Sequence, residues 1–209
     1  MLDKWFNHLF QPFLRLLARH SIAWRITPTG VTITGFFIGM AALPLLIFDY
    51  YQAALATILV NRFMDGLDGA LARMLDRASN AGGFLDICLD NIFYASVVTG
   101  FALANPMHNA PAAVILLAAL IGTSSTSLAF SACKVRWLER PKLSYRTLHY
   151  LDELTRGTGK IAFLIAFCLW PAYFVQIAWG FSALCGSVIV ARIIGGYRTL
   201  VRIDLKGLK

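Results

Sequence analysis

The chain has 209 residues, of which 58% are hydrophobic and only 14% charged, and its mean hydropathy is +0.64. That is too apolar for an ordinary soluble domain and points to an integral membrane protein. The formal net charge of +8 does not signal nucleic acid, because the basic residues gather at the ends of apolar stretches rather than along one polar face.

In chain order, residues 1–26 come first. Leu2, Trp5, Phe6, Leu9, Phe10, Phe13, Leu16 and Leu17 share one side of a helical projection, with Lys4, Arg15 and Arg19 elsewhere. This predicts a juxtamembrane amphipathic helix lying on the membrane surface; the alternative is the start of a long first span. No cleavable signal peptide is expected, since a basic stretch, a plain apolar run and a small-residue cleavage site do not follow one another. Thr27-Pro28 has the form of a helix start, with threonine as cap and proline at the first helical position.

Six spans follow, at about 30–49, 52–74, 82–104, 111–133, 159–176 and 179–199, each near the roughly 20 residues needed to cross a bilayer. The pairs Asn105-Pro106 and Trp170-Pro171 mark turns. The second span carries Arg62, Asp65 and Asp68, and the third Asp86 and Asp90, so a hydropathy scan marks both down. The predicted fold class is all-α: one polytopic domain over 1–209, with six transmembrane helices plus the surface helix. Cys88, Cys133, Cys168 and Cys185 stand singly in apolar stretches, which reads as core packing rather than thiolate metal sites or disulfides.

The polar connections sort by charge. The segments around Asp49-Tyr-Tyr-Gln, Asn105–Asn109 and Pro171–Trp179 contain no Lys or Arg. Seventeen of the 19 basic residues fall on the other side, and Arg62 and Arg192 remain within spans. The positive-inside rule then predicts both termini in the cytoplasm.

The chemistry concentrates between Asp65 and Asp90. Asp65 and Asp68 are three apart on one helix, and Asp86 and Asp90 four apart on the next, so each pair lies on one helix face. Four carboxylates between otherwise apolar helices repel and are poorly solvated unless something cationic joins them, and hard divalent ions with oxygen ligands are the natural candidates. At about 1.5 Å per residue they lie two to three turns from the cytoplasmic surface, within reach of a soluble nucleotide and of a lipid entering sideways.

Here the sequence resembles a known family. Asp65-x2-Asp68-Gly69-x2-Ala72-Arg73-x8-Gly82-x3-Asp86-x3-Asp90 is similar to the signature of the CDP-alcohol phosphatidyltransferases, with all eight fixed positions filled. The resemblance implies a bacterial inner-membrane enzyme in which an alcohol hydroxyl attacks the β-phosphorus of a CDP-linked donor and releases CMP. The implied donor is CDP-diacylglycerol and the product a phosphatidyl-alcohol lipid of phospholipid biosynthesis. The implied cofactor is Mg²⁺, two ions, with Mn²⁺ the alternative, held by Asp65, Asp68, Asp86 and Asp90. Two such ions would offset pyrophosphate charge and steady the leaving oxygen, in a reaction that needs mostly positioning and electrostatic help. Asp90 takes the base role that the family gives its last aspartate. Gly69, Ala72, Arg73, Ser79 and Gly82 would meet the CDP group: the small residues keep the helix face shallow, and Arg73 offers charge-assisted hydrogen bonds to phosphate. Pro28, Thr29 and Thr32, at the start of the first span, are weaker candidates, since the family usually has Asn where Thr29 stands. Family members are commonly homodimers, and the same is expected here.

Other readings stand beside these. Within enzymes, a phospho-alcohol passes from a small CDP-alcohol to diacylglycerol. In another class, the acidic cluster serves a transporter or cation channel, or forms ion pairs with Arg62 and Arg73. Arg62 either pairs with Asp65 or reaches an anionic acceptor; Arg192 has similar standing, and if both serve the acceptor a phosphorylated polyol is favoured. Asp76 reads as a solvated loop charge. The run Gly122–Ser127 either lines the cavity or lets helices pack closely. Residues 134–160 either set topology or grip anionic headgroups or an acceptor phosphate, with His149 simply exposed. The acceptor's identity is written in no recognisable code.

Overall fold

The computed structural model describes residues 27–76, 79–134 and 157–207. The amphipathic segment 1–26, Arg77, His149 and nearly all of the basic segment 134–160 lie outside those residues. Among the described residues every regular element is helical: α1 (Pro28–Met40), α2 (Ala42–Ile47), α3 (Tyr51–Met74), α4 (Asn80–Ala104), α5 (Pro106–Lys134), α6 (Gly157–Leu169) and α7 (Phe174–Gly207), with a 3-10 turn at Pro171–Tyr173.

Local chemistry explains the boundaries. Thr27 is extended and its Oγ1 accepts from Gly30 N at 3.2 Å, with Pro28 opening the helix, as the sequence predicts. Pro44 lacks an N–H for the Met40 carbonyl, and the helix breaks at Ala41 between α1 and α2. Ser79 caps α4, its Oγ accepting from Gly82 N at 3.0 Å. Asp76 is exposed and lies in the left-handed region (φ 51°), so it terminates α3 rather than only decorating a loop. The expected fifth span, 159–176, is corrected: Trp170 leaves the helix, Pro171 starts a 3-10 turn, and α6 stops at Leu169. The fourth begins at Pro106 rather than 111, because Pro111 is tolerated inside α5.

Among the described residues, four stretches are long and apolar enough to cross a membrane: Pro28–Ile47, Asn80–Ala104, Pro106–Ala129 and Pro171–Val201. α3 has the length but carries Arg62, Asp65, Asp68 and Arg73. α6, at 13 residues, is short. Phe37, Val114, Ile121 and Val190 face outward, as lipid-facing residues do.

The core divides by height. At one end Phe101 of α4 stacks on Phe174 of α7 (4.7 Å between centroids), and both meet Phe167 of α6 edge-on. Asp86 lies about 22 Å along α4 from Phe101 at 1.5 Å per residue, so this aromatic end is remote from the carboxylates. Near them, α1 presses closely on α3. A Cβ on Gly39 would come within 2.8 Å of the Asn61 carboxamide, and Asn61 Nδ2 donates to Gly35 O at 2.8 Å. Overpacking of this kind costs about 1–3 kcal/mol. Gly39→Val is therefore expected to lower the unfolding temperature in detergent and reduce activity, because Asn61 must move; an unchanged melt would show that α1 and α3 do not pack this closely.

Candidate active site

α3 and α4 bring their carboxylates to one place. Asp65, Asp68 and Asp86 each offer an oxygen, and the three atoms lie within 4.8 Å of one another. Asp68 is buried, and Thr32 Oγ1 of α1 donates to its Oδ2 at 2.5 Å. Thr32 thus stands in the site, whereas Pro28 serves as the helix start and Thr29 is exposed. Hard divalent ions keep oxygen ligands at about 2.0–2.6 Å, so ligand oxygens lie no more than about 5 Å apart. The triad's spacing and its all-oxygen donor set fit such an ion.

Asp90, one turn beyond Asp86, is held differently. Arg62 Nη2 donates to its Oδ1 at 2.7 Å, while Arg62 Nη1 is 3.7 Å from Asp65 Oδ2. The Arg62 side chain is only 8% exposed. It donates to Asn61 Oδ1 from both Nε and Nη2 (2.8 and 2.6 Å) and to the Tyr94 hydroxyl at 3.1 Å, and lies 4.6 Å from the centroid of Phe93. Arg62 therefore pairs with two motif carboxylates.

Thr32, Asn61, Arg62, Asp65, Asp68, Asp86 and Asp90 line one narrow pocket. Beside it opens a cavity of about 220 Å³, lined by Asp90, Asn91, Tyr94, Thr123, Ser124, Ser127, Lys160 and Arg192 among others. Asp90 is the motif residue common to both. Ser124 Oγ donates to Asn91 Oδ1 at 2.7 Å, and Arg192 Nη1 to Thr123 O at 2.8 Å. Lys160 Nζ lies 5.0 Å from the Tyr94 ring centroid. The small-residue run of α5 plays both roles weighed for it. Thr123, Ser124 and Ser127 face the cavity, while Gly122 admits Ile189 of α7, whose Cδ1 lies 2.6 Å from where a Cβ would be.

The remaining motif residues lie toward the α3–α4 turn. Arg73 is exposed and its guanidinium folds toward Gly69, 3.4 Å from where a Cβ would be. Gly82 lies against the Ser79 cap, and Ala72 is half-buried. Asn61, Asn91, Tyr94 and Lys160 were not singled out by sequence reasoning. The first three are polar residues adjoining or four apart from motif positions, which is the signal that could have found them. Lys160 is hidden at the end of a basic run.

A family model described as CDP-alcohol phosphatidyltransferase matches residues 25–194. The Inner membrane protein YnjF of Escherichia coli (strain K12) is 46% identical over 201 residues, covering 96% of this chain and 97% of that one. The phosphatidylinositol phosphate synthase of Cutibacterium acnes is 31% identical over 176 residues, covering 80% and 83%. Among solved structures, Mycobacterium tuberculosis phosphatidylinositol phosphate synthase (PgsA1) with CDP-DAG bound superposes with a TM-score of 0.68 at 21% identity, covering 88% of this chain and 93% of that one. The same protein in complex with manganese and citrate gives 0.65 at 22% identity, covering 88% of each chain. At that identity the structural likeness speaks for the fold.

Proposed function

This chain belongs to the CDP-alcohol phosphatidyltransferase family and is an enzyme of that class, and from that premise we propose that it moves a phosphatidyl group from CDP-diacylglycerol to a polar alcohol, releasing CMP. The observation that carries the reading is the convergence of Asp65, Asp68 and Asp86 within 4.8 Å, next to a polar cavity whose wall includes Asp90.

Asp65, Asp68 and Asp86 would hold divalent metal, Mg²⁺ in the cell, with Asp90 the added ligand if a second ion is taken up. Bound there, the metal offsets pyrophosphate charge and eases departure of the CMP oxygen. The protein's own groups do the rest. Gly69 and Ala72 leave room for the nucleotide, with Gly82, Ser79 and Thr32 at its margins. Arg73 donates to phosphate. The acceptor hydroxyl enters from the larger cavity, its oxygen bonds to the β-phosphorus, the bond to CMP breaks, and the hydroxyl proton passes to Asp90 Oδ2. Oδ1 is already engaged by Arg62.

The cavity speaks for the acceptor's class. Lys160 and Arg192 supply two cations, and Asn91, Ser124 and Ser127 supply groups that bond hydroxyls. A polyol carrying its own phosphate matches both, in keeping with a relative named for phosphatidylinositol phosphate synthesis. A charge-assisted hydrogen bond contributes about 1.5–3 kcal/mol. Lys160→Met and Arg192→Met are therefore expected to raise the acceptor KM by roughly 10- to 100-fold while leaving the KM for CDP-diacylglycerol unchanged; an unchanged acceptor KM would remove the phosphorylated acceptor.

For topology, the gathering of seventeen basic residues toward one side supports six crossings, α3 and α6 included, with both termini and the carboxylate end on the cytoplasmic side of the inner membrane. A homodimer fits the family's habit. The test of the whole reading is membranes supplied with CDP-diacylglycerol, Mg²⁺ and candidate alcohols, which should release CMP. Release only from a small CDP-alcohol with diacylglycerol would reverse donor and acceptor, and ion flux without CMP would favour a transporter.

A further inference from the structure

We infer that Asn91 of α4 and Ser124 of α5 form a pair that reads a hydroxyl, and so select acceptors with a second hydroxyl next to the reacting one; this rests on the phosphatidyltransferase reading and narrows its acceptor. Both residues line the larger cavity together with Asp90. The Asn91 amide is fixed within its own helix, because Nδ2 donates to Ile87 O at 2.8 Å. The reverse orientation would set Oδ1 against that carbonyl, acceptor facing acceptor. Oδ1 is therefore turned to α5, where it accepts from Ser124 Oγ at 2.7 Å.

That arrangement decides what each group still offers the cavity. The one hydrogen of the Ser124 hydroxyl is spent on Asn91, so toward a ligand Ser124 can accept and not donate. Asn91 Nδ2 carries a second N–H, which no acceptor among the described residues takes. A hydroxyl satisfies both at once: its oxygen accepts from Asn91 and its hydrogen goes to Ser124 Oγ. An ammonium could only donate, and Lys160 and Arg192 in the same cavity repel it. A methylene in its place would leave a donor and an acceptor unpaired. Asp90, which receives the proton of the reacting hydroxyl, directly precedes Asn91 at about 1.5 Å of helix rise. The hydroxyl read by the pair therefore belongs to a carbon close to the reacting one.

The experiment is steady-state CMP release from CDP-diacylglycerol by the full-length wild type, Ser124→Ala and Asn91→Leu, with melting in detergent as the measure of fold. Glycerol 3-phosphate and myo-inositol 1-phosphate are the acceptors. Each is paired with the deoxy analogue that lacks the hydroxyl next to the reacting one; for glycerol 3-phosphate this is 3-hydroxypropyl phosphate. In wild type the analogue should show a KM roughly 10-fold above that of its parent, the size of one or two such hydrogen bonds. Ser124→Ala and Asn91→Leu should each raise the parent's KM toward that of the analogue, while the analogue's own KM moves by less than about twofold. A hydrogen bond that only packs α4 against α5 would instead weaken parent and analogue alike, and that result would overturn the inference. So would a wild type that uses the analogue as well as the parent, or one that turns over another alcohol but neither polyol phosphate. Wild type that releases CMP with no alcohol would defeat the phosphatidyltransferase reading itself, a separate outcome from these.

Discussion

Asp86→Asn is expected to lower CMP release from CDP-diacylglycerol by roughly 10³-fold, about 4 kcal/mol at 1.36 kcal/mol per tenfold. Asp86 is the α4 member of the triad, and without it only the two α3 carboxylates of the triad remain. Asparagine keeps the shape and one acceptor oxygen but removes the charge that a hard cation requires. Mn²⁺ affinity should fall in the same variant, and excess metal should restore part of the rate. Asp65→Asn and Asp68→Asn should follow, the amide oxygen at 68 still being able to accept from the Thr32 hydroxyl that now donates to Asp68 at 2.5 Å. Turnover and Mn²⁺ titration together check this. A variant that loses turnover yet binds metal as tightly as wild type would place these acids outside the metal site.

Asp90→Asn is expected to separate the two roles. Its kcat should fall by about 10²- to 10⁴-fold, the usual range for removing a general base. Mn²⁺ binding at the Asp65–Asp68–Asp86 triad and the KM for CDP-diacylglycerol should change little, because those three oxygens converge without Asp90, and only uptake of a second ion should weaken. The amide oxygen can still accept from Arg62, so the local fold is kept while the proton acceptor is lost. If metal binding collapses together with kcat, Asp90 is chiefly a ligand.

Much of this site is legible in the sequence because its spacing is local. The three- and four-residue separations of Asp65, Asp68, Asp86 and Asp90 place each pair on one helix face before any tertiary structure is known. Thr27-Pro28 and the Asn105 and Trp170 turns are equally local, and the structure places helix boundaries there. What sequence could not supply is partner choice between helices. Arg62 lies three residues from Asp65, which suggests a pair between those two, yet its closest carboxylate is Asp90, 28 positions away on α4. Lys160 reads as one more charge in a basic run and instead lines the cavity with Arg192. The span ends also slipped where proline acted in context: Pro171 ended a helix, whereas Pro111 sits inside one.

The most direct test of the central claim is CMP release by the purified protein from CDP-diacylglycerol, with an alcohol acceptor, as divalent metal is withdrawn with EDTA and returned as Mg²⁺. No release is expected without metal, with recovery on Mg²⁺ addition in wild type and none in Asp86→Asn at the same Mg²⁺ concentration. Release that persists in EDTA, or that Asp86→Asn supports as well as wild type, would contradict it.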